Sequence, residues 1–310
     1  MTIRIAIVGL GKIARDQHIP AIAQTDGIEL AAVASRNATL DGVPHYSTID
    51  ALLTAALDID AVALCTPPQG RRVQAAAALR AGKHVLLEKP PGATVAELAP
   101  LIDAARSGGR TLFAAWHSRF APAVEPARAF LSDRTIRAVR IEWKEDVRVW
   151  HPGQEWIWQS GGLGVFDPGI NALSILTRIL PRPVFLTEAE LSFPGNRDAP
   201  IAARLTFSDV TGISMSAEFD WRQTGPQSWD IHVGTDTGDL TLSGGGSKLI
   251  HDRRTLIDEV PTEYAGIYRR FVELVARGDS DVDLSPLVHT ADAFMLGQRR
   301  IVEAFTEPGS

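Results

Sequence analysis

The sequence contains a single cysteine, Cys65, among 310 residues, so no disulfide forms within the chain and a reducing compartment is expected. It has no lysine- or arginine-rich run, and 31 basic against 37 acidic residues give a net charge of −6, which argues against a nucleic-acid partner. No apolar run reaches the roughly 18 residues that cross a bilayer, and no signal-peptide pattern follows the N-terminus. The eight histidines are scattered, so no metal site is expected. A cytoplasmic globular protein without a membrane partner is the resulting expectation.

Short apolar, β-branched runs alternate with alanine-rich segments in the first 120 residues. Such runs are typical of strands that are buried on both faces of a parallel sheet, and the alanine-rich segments favour helices. The predicted strands are 3–8, 30–35, 60–66, 84–88 and 111–115, and the predicted helices include 71–82 and 94–107. This alternation predicts an α/β domain with a parallel sheet over residues 1–120.

The pattern changes after residue 120 to strands that are joined mostly by turns. The predicted strands are 137–147, 184–193, 201–208, 213–222, 228–235 and 238–243, and the predicted helices are 121–132, 167–180, 264–277 and 286–305. This order predicts an α+β domain over residues 121–310 with a large, mostly antiparallel open sheet. Because an apolar sheet face needs a cover, we expect the chain to form a homo-oligomer through this sheet.

A glycine-rich turn, Gly9-Leu10-Gly11-Lys12-Ile13-Ala14, directly follows the first predicted strand. Gly9 permits a tight turn, Gly11 lets the backbone approach a pyrophosphate, and Ala14 lets the next helix pack close to the strand. The start of that helix, around Lys12 and Ile13, offers N–H groups to phosphates. The turn and its context therefore predict a dinucleotide-binding Rossmann domain.

Two other strand ends bear on the cofactor. An acidic residue usually bonds the adenosine ribose at the end of the second strand, but Ser35 and Arg36 stand there and suit a 2′-phosphate. NADP is therefore the expected cofactor, with NAD second, and a solvated arginine is the alternative interpretation. Thr66 and Pro67 follow the third strand, at the sheet edge where ligands bind. We expect this turn to lie against the cofactor, although prolines also favour a plain turn.

Candidate catalytic groups occur in two further segments. Lys89, in Glu88-Lys89-Pro90, follows the fourth strand and would point to the edge of the sheet where the cofactor is expected. The alternative is an ordinary exposed lysine. Asp167 and Asn171 are four residues apart and share one helix face. An ionised Asp167 can accept a proton, whereas the alternative is a helix N-cap that precedes a proline at the first helical position.

These pieces in this order resemble the Gfo/Idh/MocA family of NAD(P)-dependent oxidoreductases. The resemblance covers essentially the whole chain and is carried by Gly9, Gly11, Ala14, Glu88-Lys89-Pro90, Asp167 and Asn171. Many members have a histidine, usually assigned as the base, where this chain has Asn171. That asparagine, together with His117 and the segments 143–146 and 150–154, resembles the bacterial aldose 1-dehydrogenases of the family, which act on D-galactose and L-arabinose.

The resemblance implies oxidation of an aldopyranose at C1 to the lactone, with hydride transfer to NAD(P)⁺. A polyol or inositol dehydrogenase of the same family is one alternative, and a non-catalytic sugar or nucleotide sensor on the same fold is another. The tryptophans of the second half also suit a sugar, since indole faces stack on pyranose rings, although any single one could belong to the core.

The resemblance also assigns roles to individual residues. The catalytic residues are Asp167, Lys89 and Asn171; the sugar-binding residues are His117, Glu145, Trp150, His151 and Asn171; and Glu88 and Lys89 join the glycine turn in binding the cofactor. We expect His117, Glu145, Asp167 and Asn171 to line one pocket with Lys89. An amide does not accept a proton near neutral pH, so Asp167 is the expected base, with Lys89 as its electrostatic partner. His117 and Lys89 are the other candidates for the base.

Replacing Arg36 by Ala tests the predicted 2′-phosphate contact. Because only NADP⁺ carries that phosphate, the substitution should raise the Michaelis constant for NADP⁺ far more than that for NAD⁺. Steady-state kinetics with each cofactor measure both constants. Equal changes in the two would contradict the assignment.

Overall fold

The computed structural model describes residues 2–55 and 57–306. They form two compact units, one from the residues up to His117 with Glu263–Asp283, the other from Ser118–Thr262 with the residues from Leu284 onward. The sequence-based division at residue 120 assigns Glu263–Asp283 to the second domain, whereas its contacts assign it to the first unit. No helix within the described residues is long and apolar enough to span a bilayer.

The first unit contains a six-stranded sheet in which every pair of neighbouring strands is parallel, as predicted. The strands are β1 Ile3–Val8, β2 Ile28–Ala34, β3 His45–Tyr46, β4 Ala61–Leu64, β5 His84–Glu88 and β6 Leu112–Ala115. A π-helical turn Ala14–His18 leads into α1 Ile19–Ala23, followed by α2 Ile49–Thr54, α3 Pro68–Arg80 and α4 Leu98–Gly108. The strand order β3-β2-β1-β4-β5-β6 reverses between β1 and β4, and ligands bind at such a reversal in open α/β sheets.

The second unit contains a nine-stranded, mostly antiparallel sheet, in the order β14-β13-β12-β11-β7-β10-β9-β8-β15. The strands are β7 Ile136–Lys144, β8 Phe185–Pro194, β9 Ala202–Ser208, β10 Ser214–Asp220, β11 Ser228–Thr235, β12 Gly238–Ser243, β13 Lys248–His251, β14 Arg254–Asp258 and β15 Gln298–Val302. Its helices are α5 Val124–Leu131, α6 Val147–Trp150, α7 Phe166–Ile179 and α9 Ser285–Leu296; the remaining helix, α8 Glu263–Arg277, lies in the first unit. Among the described strands of this second sheet, only the pairs β7–β10 and β8–β15 are parallel, so the predicted large, mostly antiparallel sheet is confirmed.

The prediction of one helix over 286–305 is wrong in its second half. Helix α9 ends at Leu296, and Gly297 is extended, with φ −67° and ψ 126°. A Cβ atom on Gly297 would lie 2.9 Å from the Leu191 side chain, so only glycine fits this close approach. The chain then forms β15 beside β8. A sheet edge offers unpaired backbone groups, and pairing with that edge outweighs the local helical preference.

The two faces of the second sheet differ in chemistry. Along β7, the side chains of Val139, Ile141 and Trp143 are buried, whereas Arg140 and Lys144 lie on the other face and form ion pairs with Glu142 and Glu218, respectively. That second face is therefore charged, and it lacks the apolar character from which oligomerisation was argued. A homo-oligomer through this sheet stays a prediction.

Gly169 of α7 offers a test of packing in the second unit. A Cβ atom there would lie 2.5 Å from the Phe219 ring, which is fully buried and packs edge-on against Phe166. Because the ring has no room to move, Gly169→Ala should lower the free energy of unfolding by about 1–3 kcal/mol. Gly70→Ala in α3 is the control, since its Cβ atom meets open space. Urea unfolding measures both, and equal losses would contradict the packing argument.

Candidate active site

The turns after β1 and β4 touch each other at the reversal in strand order. Gly9 has a φ of +94°, and its amide donates a hydrogen bond to the Ala34 carbonyl at 2.8 Å. A Cβ atom on Gly9 would lie 2.8 Å from Thr66 Cγ2 and 2.9 Å from the Thr66 amide nitrogen. Both the conformation and the space therefore require glycine, and the predicted cofactor residues Gly9 and Thr66 lie side by side.

The surface beside this contact is open. Gly11, Lys12 and Ile13 are exposed, and a Cβ atom on Gly11 would meet no atom within 4 Å. Pro67 is exposed in the neighbouring turn. An open glycine backbone at the start of a helical segment is what close approach of a pyrophosphate needs, so these residues fit a dinucleotide.

The end of β2 presents the predicted 2′-phosphate group. The Ser35 amide donates to the Tyr46 carbonyl at 2.9 Å, which fixes the backbone here. Ser35 is half-buried and Arg36 is exposed. Both belong to the same unit as the glycine turn, and neither is an acid, so the strand end retains the chemistry on which the NADP prediction depends.

Glu88 and its neighbours form a buried polar network at the end of β5. Glu88 Oε1 accepts hydrogen bonds from Tyr264 Oη at 2.7 Å and from His18 Nε2 at 3.1 Å. Its second oxygen, Oε2, accepts a hydrogen bond from the Lys89 amide at 2.7 Å, and His18 Nδ1 lies 2.7 Å from Tyr268 Oη. Both oxygens of the Glu88 carboxylate are thus bonded to protein groups, one of them the Lys89 amide, and the cofactor-binding role of Glu88 stays a prediction.

The network shifts the titration of its members. Burial alone would raise the pKa of Glu88, but the hydrogen bonds from His18 and Tyr264 and the charge of His18 outweigh burial and lower it to about 2. Burial alone would lower the pKa of His18, but its acidic neighbours Cys65, Tyr268 and Glu88 raise it well above 6.5. The two shifts run in the directions that an ion pair between the His18 imidazolium and the Glu88 carboxylate produces.

His117, a predicted sugar-binding residue, has a carboxylate partner in the first unit. Its Nδ1 forms a short hydrogen bond with Glu263, and its ring stacks on that of Tyr264, with the centroids 5.3 Å apart. A carboxylate on one ring nitrogen fixes the orientation and tautomer of an imidazole. Glu263 therefore orients His117, while the adjacent Tyr264 holds Glu88.

The second unit gathers three of the predicted site residues. Glu145 is buried, and its two oxygens accept hydrogen bonds from the indole N–H groups of Trp221 at 3.2 Å and Trp229 at 2.9 Å. His151 Nε2 lies 3.5 Å from Glu145 Oε1 and 3.7 Å from Asp167 Oδ2. One imidazole nitrogen thus faces two buried carboxylates.

Helix α7 begins at Phe166, and Val165 occupies its N-cap position. Asp167 is therefore inside the first turn, and the alternative that it is the N-cap is wrong. Asn171 lies one turn later and is half-buried. Lys89 and His117 belong to the first unit, and Asp167 and Asn171 to the second, so the single pocket expected from the sequence stays a prediction.

The tryptophans divide into core residues and accessible ones. Trp143, Trp158 and Trp221 are buried, whereas Trp150 is 42% exposed. Trp150 lies against Trp229, with ring centroids 5.1 Å apart. Trp150, a predicted sugar-binding residue, is thus accessible and packs on the indole that donates to Glu145, whereas the buried tryptophans belong to the core, the alternative that the sequence left open.

Sequence reasoning missed several residues of the first unit that hold the candidate groups. They are His18, Arg71, Glu263, Tyr264 and Tyr268. The sequence held only a weak signal for them. Ala14 and His18 are four residues apart, as are Tyr264 and Tyr268, and the structure buries both pairs. Such a spacing predicts a shared helix face but does not identify a partner. The partner of Tyr264 is 176 residues away in the chain, and local patterns do not encode such a contact.

The model of the Gfo/Idh/MocA oxidoreductase family, described as an NAD-binding Rossmann fold, matches residues 3–116. The chain is 46% identical to galactose 1-dehydrogenase of Pseudomonas fluorescens over 305 residues, which is 98% of each protein. The chain belongs to the Gfo/Idh/MocA family of oxidoreductases. It is an enzyme of the dehydrogenase type, with a nicotinamide dinucleotide as its cofactor.

Solved structures of other proteins are also similar to this chain over nearly its whole length. The crystal structure of the D-galactose-1-dehydrogenase protein from Rhizobium etli is 60% identical, covers 98% of both chains and superposes with a TM-score of 0.95. A 3-ketoreductase from Actinomadura kijaniata in complex with NADP has a TM-score of 0.83 over 97% of this chain and 100% of its own, at 19% identity. At that identity the likeness shows the fold alone.

The ion pair of Glu88 and His18 predicts how stability depends on pH. The folded pKa of Glu88 is about 2 against an ordinary 4.5, so its stabilisation is complete above pH 4.5 and is lost as the pH falls towards 2. The raised pKa of His18 acts in the opposite sense: its contribution is complete below pH 6.5 and is lost as the pH rises through the folded pKa. The pair therefore stabilises the fold most between about pH 4.5 and 6.5.

Glu88→Gln tests this pH dependence. The amide has no proton to gain in acid, so the difference in unfolding free energy between wild type and variant should shrink as the pH falls from 4.5 towards 2. Urea unfolding at a series of pH values measures it, with the exposed Glu273→Gln as control. A constant difference across the range would show that Glu88 does not titrate in this way.

Proposed function

We propose that the enzyme oxidises an aldopyranose, such as D-galactose or L-arabinose, at C1 to the aldonolactone. The observation that carries the proposal is the cluster of Glu145, His151 and Asp167, which is linked through Trp229 to the accessible indole of Trp150. Polar groups beside an aromatic face suit the hydroxyls and the apolar side of a sugar ring. The names of the two full-length relatives, both galactose 1-dehydrogenases, support the same substrate class.

NAD(P)⁺ would accept the hydride when it is bound, and the glycine turn at Gly9 and Gly11 would hold its pyrophosphate. Ser35 and Arg36 would receive the 2′-phosphate of NADP⁺, so we propose NADP⁺ as the preferred cofactor and NAD⁺ as the second. This preference rests on a guanidinium and a hydroxyl at a strand end that lacks an acid. The 3-ketoreductase that contains NADP shares the fold and is compatible with either choice.

The sugar is held in this proposal by Glu145, His151 and Trp150, with His117 as a further ligand. Glu145 keeps acceptor capacity after its two indole bonds, because an ionised carboxylate offers about four lone-pair sites. Trp221 and Trp229 therefore leave it able to accept a sugar hydroxyl while they fix its direction. His151 Nε2 faces Glu145 and Asp167, which places an imidazole next to the proposed base.

Oxidation at C1 removes a hydride from carbon and a proton from the hydroxyl. We assign the proton to Asp167, with Lys89 stabilising negative charge on the oxygen and Asn171 orienting the hydroxyl. The hydroxyl of a hemiacetal is more acidic than that of an ordinary alcohol, so a carboxylate suffices as base. The place of Asp167 inside the first turn of α7, rather than at the N-cap, supports a role other than helix capping.

The activity can be tested with the purified chain, NADP⁺ or NAD⁺, and a panel of D-galactose, L-arabinose and myo-inositol. We expect absorbance from the reduced cofactor with the two aldoses and little with the inositol, since only an aldose has an anomeric hydroxyl. Trapping the lactone as its hydroxamate identifies the oxidised carbon. Activity with the inositol alone would move the assignment to the polyol dehydrogenases, and no turnover with either aldose would overturn the proposed substrate class.

Asp167→Asn tests the base, because it keeps the shape of the side chain and removes its basicity. Turnover should fall by about two orders of magnitude or more, while the dissociation constant for NADP⁺ stays near that of wild type. Asp133→Asn is the matched control, since Asp133 is exposed in the same unit. If Asp167→Asn retains most of the turnover and His117→Ala does not, the proton goes to His117 instead.

A further inference from the structure

The backbone on both sides of Lys89 is bound by one buried guanidinium. Arg71 of α3 is 3% exposed. Its Nη1 donates hydrogen bonds to the carbonyls of Glu88 and Pro90, and its Nη2 donates one to the carbonyl of Thr66. A planar guanidinium offers donors in a fixed fork, so Arg71 ties the strand end that carries Lys89 to the turn that touches Gly9.

The amide of Lys89 is bound from the other side by the carboxylate of Glu88, at 2.7 Å. That carboxylate is in turn fixed by Tyr264 and His18. The flanking carbonyls and the amide of Lys89 are therefore all held by charged side chains that are themselves buried. The Lys89 backbone has little freedom to shift.

Stability alone does not account for this arrangement. Burying an ion pair gains little over well-packed apolar side chains of the same volume, and this network buries an arginine, a glutamate and a histidine together. Arg71 and the Glu88 carboxylate both bind the backbone of one peptide segment, Glu88–Pro90, and that segment carries the lysine assigned to the reacting oxygen. Displacement of a catalytic group by about 1 Å is enough to lower a rate by about a hundredfold.

We propose that Arg71, Glu88 and Tyr264 are positioning residues that fix the backbone of Lys89 and thereby the direction of its ammonium group. None of them is assigned a contact with the substrate. The functional part rests on the proposed role of Lys89 in the dehydrogenase reaction. The positioning part is independent of it and can be measured without turnover.

The position of Lys89 can be followed by NMR, because the chain has only five lysines. Labelling with [¹⁵N]lysine gives five amide signals, and Lys89→Arg identifies the one that belongs to Lys89. Tyr264→Phe removes one hydroxyl donor to Glu88 and Arg71→Met removes the guanidinium, so each should shift the Lys89 amide and speed its hydrogen exchange.

Two matched controls accompany these variants. Arg72→Met changes the neighbouring, exposed arginine and should leave the signal unmoved, and Tyr268→Phe, whose hydroxyl reaches His18 but not Glu88, should move it less than Tyr264→Phe. If Arg71→Met does not fold, Tyr264→Phe alone still decides. A Lys89 signal that is unchanged in Tyr264→Phe overturns the proposal.

A double-mutant cycle tests whether the network acts through Lys89. Tyr264→Phe should lower kcat about tenfold in the wild-type background, by misplacing Lys89, with the KM values for sugar and cofactor near those of wild type. In the Lys89→Ala background the same change should lower kcat less than about twofold, since residues that act as a unit are not additive.

Equal losses in the two backgrounds would contradict positioning through Lys89. If the wild-type chain oxidises no aldose, the proposed function fails, and the NMR measurement still decides whether Arg71, Glu88 and Tyr264 fix the lysine.

Discussion

Glu88 carries a buried carboxylate, and residues from three parts of the first unit supply its hydrogen bonds. A buried, unpaired charge costs several kcal/mol, so every residue that donates to Glu88 is constrained in place. Tyr264 comes from a helix near the end of the chain and His18 from the helical segment after the glycine turn. This one side chain thus links the helical segment after the glycine turn, the strand end at Lys89 and helix α8 by hydrogen bonds.

Glu145 follows the same physical rule in the second unit with different donors. Two indole N–H groups satisfy it, and an indole has one donor and no acceptor, so neither tryptophan competes with a ligand for the remaining lone pairs. The Glu145 carboxylate is therefore an ionisable acceptor whose direction is fixed by two indole rings. In both units a carboxylate is fixed by side chains that are buried, such as Tyr264 and Trp221, or half-buried, such as Trp229, which is how a folded interior gives direction to a polar group.

Local sequence patterns predicted the parallel strands, the change to an antiparallel sheet and the glycine turn, because each depends on residues close together in the chain. They did not predict β15, where Gly297 and the free edge of β8 override a helical pattern. They also did not reveal what holds the Glu88 side chain, since His18 and Tyr264, which donate to it, are 70 and 176 residues away. Partners at such separations follow from the packed fold, which no short window of sequence contains.

The amide at Asn171 shows how the substrate and the catalytic groups constrain each other. A side-chain amide does not act as an acid or a base near neutral pH. An enzyme with asparagine at this position therefore needs another base, or a substrate whose hydroxyl is easier to deprotonate. In the proposed reaction the hemiacetal hydroxyl of an aldose is the more acidic substrate group. The proposed base is Asp167, which is buried on the same helix with Oδ2 3.7 Å from His151 Nε2. A secondary alcohol of a polyol gives up its proton less readily, so loss of the family histidine would cost a polyol dehydrogenase more than an aldose dehydrogenase. Under the proposed mechanism, the residue that departs from the common family pattern is therefore the one that favours oxidation at C1.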